Sequence, residues 1–115
     1  MAIHESRFQR NLILELEDMF PGCIVMKNDP NYIQGIPDLI ILYEDKWAAL
    51  ECKRGLNEKH RPNQDYYITK MNSMSFASFI CPENKEEVLD ELEQSFFPRR
   101  KARVSKRQSI SLAKL

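Results

Sequence analysis

No stretch of this 115-residue chain approaches the roughly 18 apolar residues of a membrane-spanning helix. The first ten residues, MAIHESRFQR, carry no apolar segment behind their charges, so no secretory signal is read there. A soluble, intracellular, cytoplasmic protein without a membrane partner is expected. Cysteine is scarce and unsuited to chemistry: Cys23, Cys52 and Cys81 are odd in number, none stands in a CxxC pair, and each adjoins apolar residues. That pattern excludes a disulfide framework, argues against a zinc site and predicts three reduced, packed thiols. No internal repeat is present, and neither a helix-turn-helix nor a zinc module that would read base sequence is found. Nothing suggests a small-molecule cofactor.

Net charge is also lacking, but only in the sum. Residues 1–98 hold ten Lys and Arg against all seventeen Asp and Glu, while residues 99–115 hold seven Lys and Arg and no acid. The chain therefore divides into an acidic domain, 1–98, and a basic C-terminal tail, 99–115. Runs of one sign contact polyanions or remain solvated. Arg99, Arg100, Lys101 and Arg103 are the tail's candidates for phosphate contact, and screening of an acidic neighbour is the competing use. The 43% apolar and 10% aromatic content is enough to build one globular core.

The most informative segment is GIPDLIILYEDKWAALECK, residues 35–53. Two apolar β-like runs, 38–43 and 46–52, flank a polar turn at Glu44 and Asp45 and predict a hairpin. Pairing them brings Asp38 near Glu51. Side chains alternate along a strand, so Glu51 and Lys53 face one way and Cys52 the other. Two carboxylates and an ammonium at the end of an apolar sheet need partners or a metal. Oxygen donors without His or thiolate suit a hard cation, Mg²⁺ or Mn²⁺, that keeps several waters. An ordinary ion pair would use the same residues, and spacing alone leaves both readings open.

With its surroundings, the segment resembles the PD-(D/E)XK nuclease superfamily, and within it the small stand-alone VRR-NUC and Holliday-junction-resolvase branch. The residues that carry the resemblance are Gly35-Ile36-Pro37-Asp38, Glu51-Cys52-Lys53, Gln64 at the head of a helix, and an acidic helix upstream. It covers about residues 5–94. Pro62-Asn63 stands where the family usually has Ser or Thr shortly before the Gln. The resemblance implies a restriction-endonuclease-like α/β fold, with a mixed central sheet flanked by helices. It further implies metal ligation by Asp38, Glu51 and the Cys52 backbone carbonyl, catalysis by Lys53, and a phosphate or water contact by Gln64. The activity implied is Mg²⁺-dependent hydrolysis of DNA phosphodiesters, with branched DNA as the preferred substrate and a homodimer to make paired cuts. The alternatives are a nicking, restriction-like or homing nuclease on linear duplex, and a non-catalytic nucleic-acid-binding module.

The element order read from periodicity is αβββαβ with a further helix: helices over 4–20, 63–72 and 84–96, strands over 23–26, 38–43, 46–52 and 75–81. Turn-rich 28–36 leads into Asp38, polar 55–62 is expected to be a mobile loop, and Asn84 to cap the last helix. Phe8, Leu12, Leu16 and Phe20 define the apolar face of the first helix, and Glu5 lies on its centre line. Members of the family present an acid from this helix to the metal, which makes Glu5 a candidate catalytic residue and ligand. A solvated acid in a first helical turn is the simpler alternative. Arg54, His60, Arg61 and Lys70 are further candidates for nucleic-acid contact, each also a plausible surface residue.

Overall fold

A computed structural model describes residues 2–98, with side chains from Ser6 onward. Along the chain run α1 (Ala2–Met19), β1 (Ile24–Lys27), β2 (Leu39–Tyr43), β3 (Lys46–Cys52), α2 (Pro62–Met74), β4 (Phe76–Ile80) and α3 (Lys85–Phe96). This is an α/β protein with the expected αβββαβ order and one helix appended. The sheet order is β1-β2-β3-β4; the first two pairings are antiparallel, whereas β3 and β4 run parallel. A parallel pair needs a crossover connection, and α2 supplies it. The helix bounds differ from expectation by one or two residues; α2 starts one residue early because Pro62 is tolerated at the first helical position, where its missing N–H is not needed.

The layers follow from strand alternation. One face of the sheet carries Leu39, Ile41, Ala48, Leu50, Cys52 and Ile80, which pack against Leu12, Leu16 and Phe20 of α1 and Val88, Leu89, Leu92 and Phe96 of α3. The other face carries Ala49 and Ala77, small enough for α2 to approach with Ile68. With helices on both faces, β3 is buried almost throughout rather than alternating. α2 covers only the β3–β4 half of its face, which leaves Ile24, Met26 and Leu42 exposed over β1 and β2.

Local chemistry sets the ends of these elements. Gly22 takes φ +90° where α1 stops, a conformation open to glycine without strain. The turn between β2 and β3 is tight enough to force Glu44 to φ 56°. At that end of the sheet, Phe20, Tyr43, Phe96 and Phe97 form an aromatic cluster with centroids 5.0–5.8 Å apart. The opposite end of β2 and β3 is polar. Asn84 precedes α3 as expected, but its side chain accepts from the Cys81 N–H at 2.8 Å instead of capping the helix. Cys52 and Cys81 are buried thiols, and Cys23 is half-buried. Among the described residues, no helix is long and apolar enough to cross a membrane.

Candidate metal and phosphodiester site

The register of the hairpin builds the site. Leu39 pairs with Leu50, so one step further places Asp38 opposite Glu51. The two residues are cross-tied: the Asp38 N–H donates to Glu51 Oε1 at 3.2 Å, and the Cys52 N–H donates to Asp38 Oδ2 at 2.9 Å. Asp38 is also fixed from behind, since its carbonyl accepts from the Asn28 N–H at 2.8 Å, and Asn28 Nδ2 reaches the Pro37 carbonyl at 2.7 Å. The Lys53 N–H donates to the Ile80 carbonyl of β4 at 2.8 Å. Across the same planar trans peptide, the Cys52 carbonyl therefore points the other way, to the β2 side of the strand.

Glu51 and Lys53 are each only 5% exposed, and burial of this kind demands specific partners. Gln64, in the first turn of α2, supplies them. Its Nε2 donates to Glu51 Oε2 at 2.9 Å, and its Oε1 accepts from Lys53 Nζ at 2.7 Å and from the Arg61 N–H at 3.0 Å. One amide thus binds the acid, the base and its own helix start. Lys53 Nζ donates a second bond to the Lys59 carbonyl at 3.1 Å, lies 4.0 Å from Glu58 and stands 5.9 Å from the centre of the Phe79 ring.

Electrostatics distinguish Asp38. Burial pushes its carboxyl above the ordinary range; the Cys52 N–H and the Lys53 charge oppose this without cancelling it, and Glu58 adds to the rise. A carboxylate held in that state is one that a nearby cation stabilises. Asp38, Glu51, Arg61 and Gln64 line an open cleft of about 440 Å³, whose other wall is the 30–36 loop. Gly35 sets that wall, with φ +87° and a backbone so close to α2 that a Cβ would stand 2.3 Å from Asn63 Cβ.

Among the described residues, no group of three or more His, Cys, Asp or Glu side chains converges as a metal cage. The candidate donors are oxygen only: the Asp38 and Glu51 carboxylates, which line the cleft, and the Cys52 backbone carbonyl. That set fits a hard divalent cation that completes its shell with water. The Glu5 side chain lies outside the described residues, as do Arg99, Arg100, Lys101 and Arg103.

The remaining candidates divide. Arg54 is engaged by Glu58, which accepts from its N–H at 2.5 Å and its Nε at 3.4 Å. His60 lies flat on Phe79, centroids 3.7 Å apart, with Nδ1 3.0 Å from Asp65. Arg61 opens α2 on the rim of the cleft, whereas Lys70 is exposed further along that helix. The 55–62 segment expected to be mobile is cross-linked from Lys53, Arg54, Phe79 and Gln64. Sequence reasoning missed Glu58. Partial burial pushes its carboxyl up, but the Arg54 N–H and the charges of Lys53 and Arg54 outweigh this and hold it low. Its only signal was its position, the one acid in a basic stretch four residues after Arg54.

Comparison with protein-family models, with curated proteins and with solved structures gives no match for this chain.

Proposed function

We propose that this chain is a metal-dependent endonuclease that hydrolyses DNA phosphodiesters, built on the plan of the VRR-NUC and junction-resolvase branch of the PD-(D/E)XK nucleases. The observation that carries the reading is the bridging of Glu51 and Lys53 by Gln64, with Asp38 tied to Glu51 through its backbone N–H, at one end of the sheet beside an open cleft. An ordinary surface ion pair needs no burial, no bridging amide and no cleft. Here the acid and the ammonium are both buried and are held by the same helix start.

Asp38, Glu51 and the Cys52 carbonyl are the groups that would hold Mg²⁺ or Mn²⁺. The ion, when bound, supplies Lewis acidity toward a phosphoryl oxygen and lowers the pKa of water. The residues of the chain do the rest. Lys53, its ammonium held by Gln64 and the Lys59 carbonyl, would orient the attacking water or stabilise charge gathering on the phosphoryl oxygens. The water oxygen bonds to phosphorus as the bond to the leaving sugar oxygen breaks. Pre-set donors of this kind assist catalysis because they need no reorganisation as charge develops. A branched substrate and a two-subunit assembly belong to the same proposal, since a two-fold dimer supplies two related cuts.

The test is a pair of variants. Lys53→Ala should lose cleavage by about a hundredfold or more while binding DNA nearly as the wild type does, because its role is in the transition state. Asp38→Asn should lose cleavage and also lose the stabilisation that added Mg²⁺ gives the wild type. Normal cutting by Lys53→Ala would reduce the motif to an ion pair.

A further inference from the structure

Next to the candidate cleft, on the bare half of the sheet face, lies a second hollow of about 460 Å³ lined by Asn28, Asp29, Tyr32, Ile33, Ile36 and Ile40. Three isoleucines give it an apolar floor. Ile36 lines both this hollow and the candidate cleft, so the two adjoin. The Asn28 N–H bonded to the Asp38 carbonyl ties the hollow's edge to the first residue of the site.

At its rim stands Tyr32, 84% exposed and the most exposed large apolar residue among those described. It is not on a loose loop. The Asn31 N–H donates to Asp29 Oδ1 at 2.8 Å, the Tyr32 N–H to the Asp29 carbonyl at 3.1 Å and the Ile36 N–H to the Ile33 carbonyl at 3.3 Å, while Gly35 is pressed against Asn63. A large aromatic ring in water, on a backbone fixed by its own turn, gives nothing to the core. It is a surface prepared for a flat partner. An apolar floor, a presented ring and a carboxylate at the edge match one ligand chemistry in particular: a nucleobase, with two π-faces and a polar rim.

Resting on the nuclease reading, we infer that this hollow receives an unpaired nucleobase stacked on Tyr32, close to the phosphate to be cut at the Asp38 and Glu51 site. A base in a continuous duplex is stacked on its neighbours and cannot enter. A base at a branch point, bulge or frayed end is free to do so. The hollow thus selects nucleic acid with unpaired bases beside the scissile phosphate, and it does so through shape and stacking rather than through a base sequence.

The experiment measures binding without cleavage, using the full chain with Ca²⁺ in place of Mg²⁺. The probes are two oligodeoxynucleotide duplexes that differ only in whether one 2-aminopurine is paired or bulged. The wild type should bind the bulged probe about tenfold more tightly than the paired one, the scale of a single base–aromatic stack, and should quench its fluorescence. Tyr32→Ala should lose both the preference and the quench at unchanged Tm, because the ring is exposed, and Tyr32→Trp should restore them. Equal affinity for the two probes, or an undiminished quench in Tyr32→Ala, would overturn the inference while leaving the nuclease reading standing. Failure to bind either probe would overturn both.

Discussion

Replacing Gln64 with Ala tests whether the buried acid and ammonium are held as described. The side chain makes two hydrogen bonds to charged groups, one from Lys53 Nζ at 2.7 Å and one to Glu51 at 2.9 Å, besides that from the Arg61 N–H. Hydrogen bonds to charged groups each contribute about 1.5–3 kcal/mol. The cleft admits water that replaces part of the loss, so the total falls at or somewhat below the sum of the two lower ends, about 2–3 kcal/mol. In a domain of this size, where 1 kcal/mol corresponds to roughly 4–8 °C, Tm should fall by about 10–20 °C. Gln64→Glu separates the two bonds. It keeps an acceptor for Lys53 but sets a carboxylate against Glu51. Of two carboxylates sharing a site, one has its pKa raised by folding. The stability of this variant should therefore be best at acid pH and decline as pH rises through that elevated value. Thermal unfolding followed by circular dichroism between pH 4 and 8 reads both. A loss below about 0.5 kcal/mol for Gln64→Ala, the range of an ordinary surface change, would mean that the bridge does not hold the pair.

Asp38→Asn should raise Tm at neutral pH in the presence of a chelator. The folded-state pKa of Asp38 lies above its ordinary value of 3.8, so its favourable contribution is present below that value and is lost as pH rises through the folded one. Asn removes the charge but keeps an acceptor for the Cys52 N–H. The gain should shrink as the pH approaches 4, and a lower Tm at pH 7 would contradict the stated cause. Gly35→Ala should destabilise by about 2–4 kcal/mol, combining a left-handed backbone with a clash against Asn63; urea unfolding measures it, and a change under 1 kcal/mol would show that the 30–36 loop moves freely off α2.

The hairpin was the most legible part of the chain, because two apolar runs of strand length about a polar turn admit one register. That register alone placed Asp38 opposite Glu51 and turned Cys52 into the core. The parallel pairing of β4 with β3 follows from the helix between them. The bridge made by Gln64 was not legible, since it depends on where the first turn of α2 meets the sheet, and that is set by the packing of Ile68 on Ala49 and Ala77. The contacts of the loop after Lys53 were not legible for a related reason. Polar composition suggested mobility, yet its polar groups bond to Lys53, Arg54 and Gln64, and His60 rests on Phe79. A loop that surrounds a buried charge must be polar to satisfy that charge. Tyr66 and Met74 of α2 are exposed, because the small residues facing α2 bury only its Ile68 side.

The proposed nuclease activity rests on the Asp38, Glu51 and Lys53 constellation. The most direct test incubates the purified full chain and Mg²⁺ with a four-way junction, a flap, a linear duplex and a single strand, beside Lys53→Ala and a chelator control. Metal-dependent cutting by the wild type is expected, strongest on the branched substrates, with Lys53→Ala slower by about a hundredfold or more. No cutting of any of the four substrates by folded wild-type protein with Mg²⁺ or Mn²⁺, or equal cutting by Lys53→Ala, would contradict it.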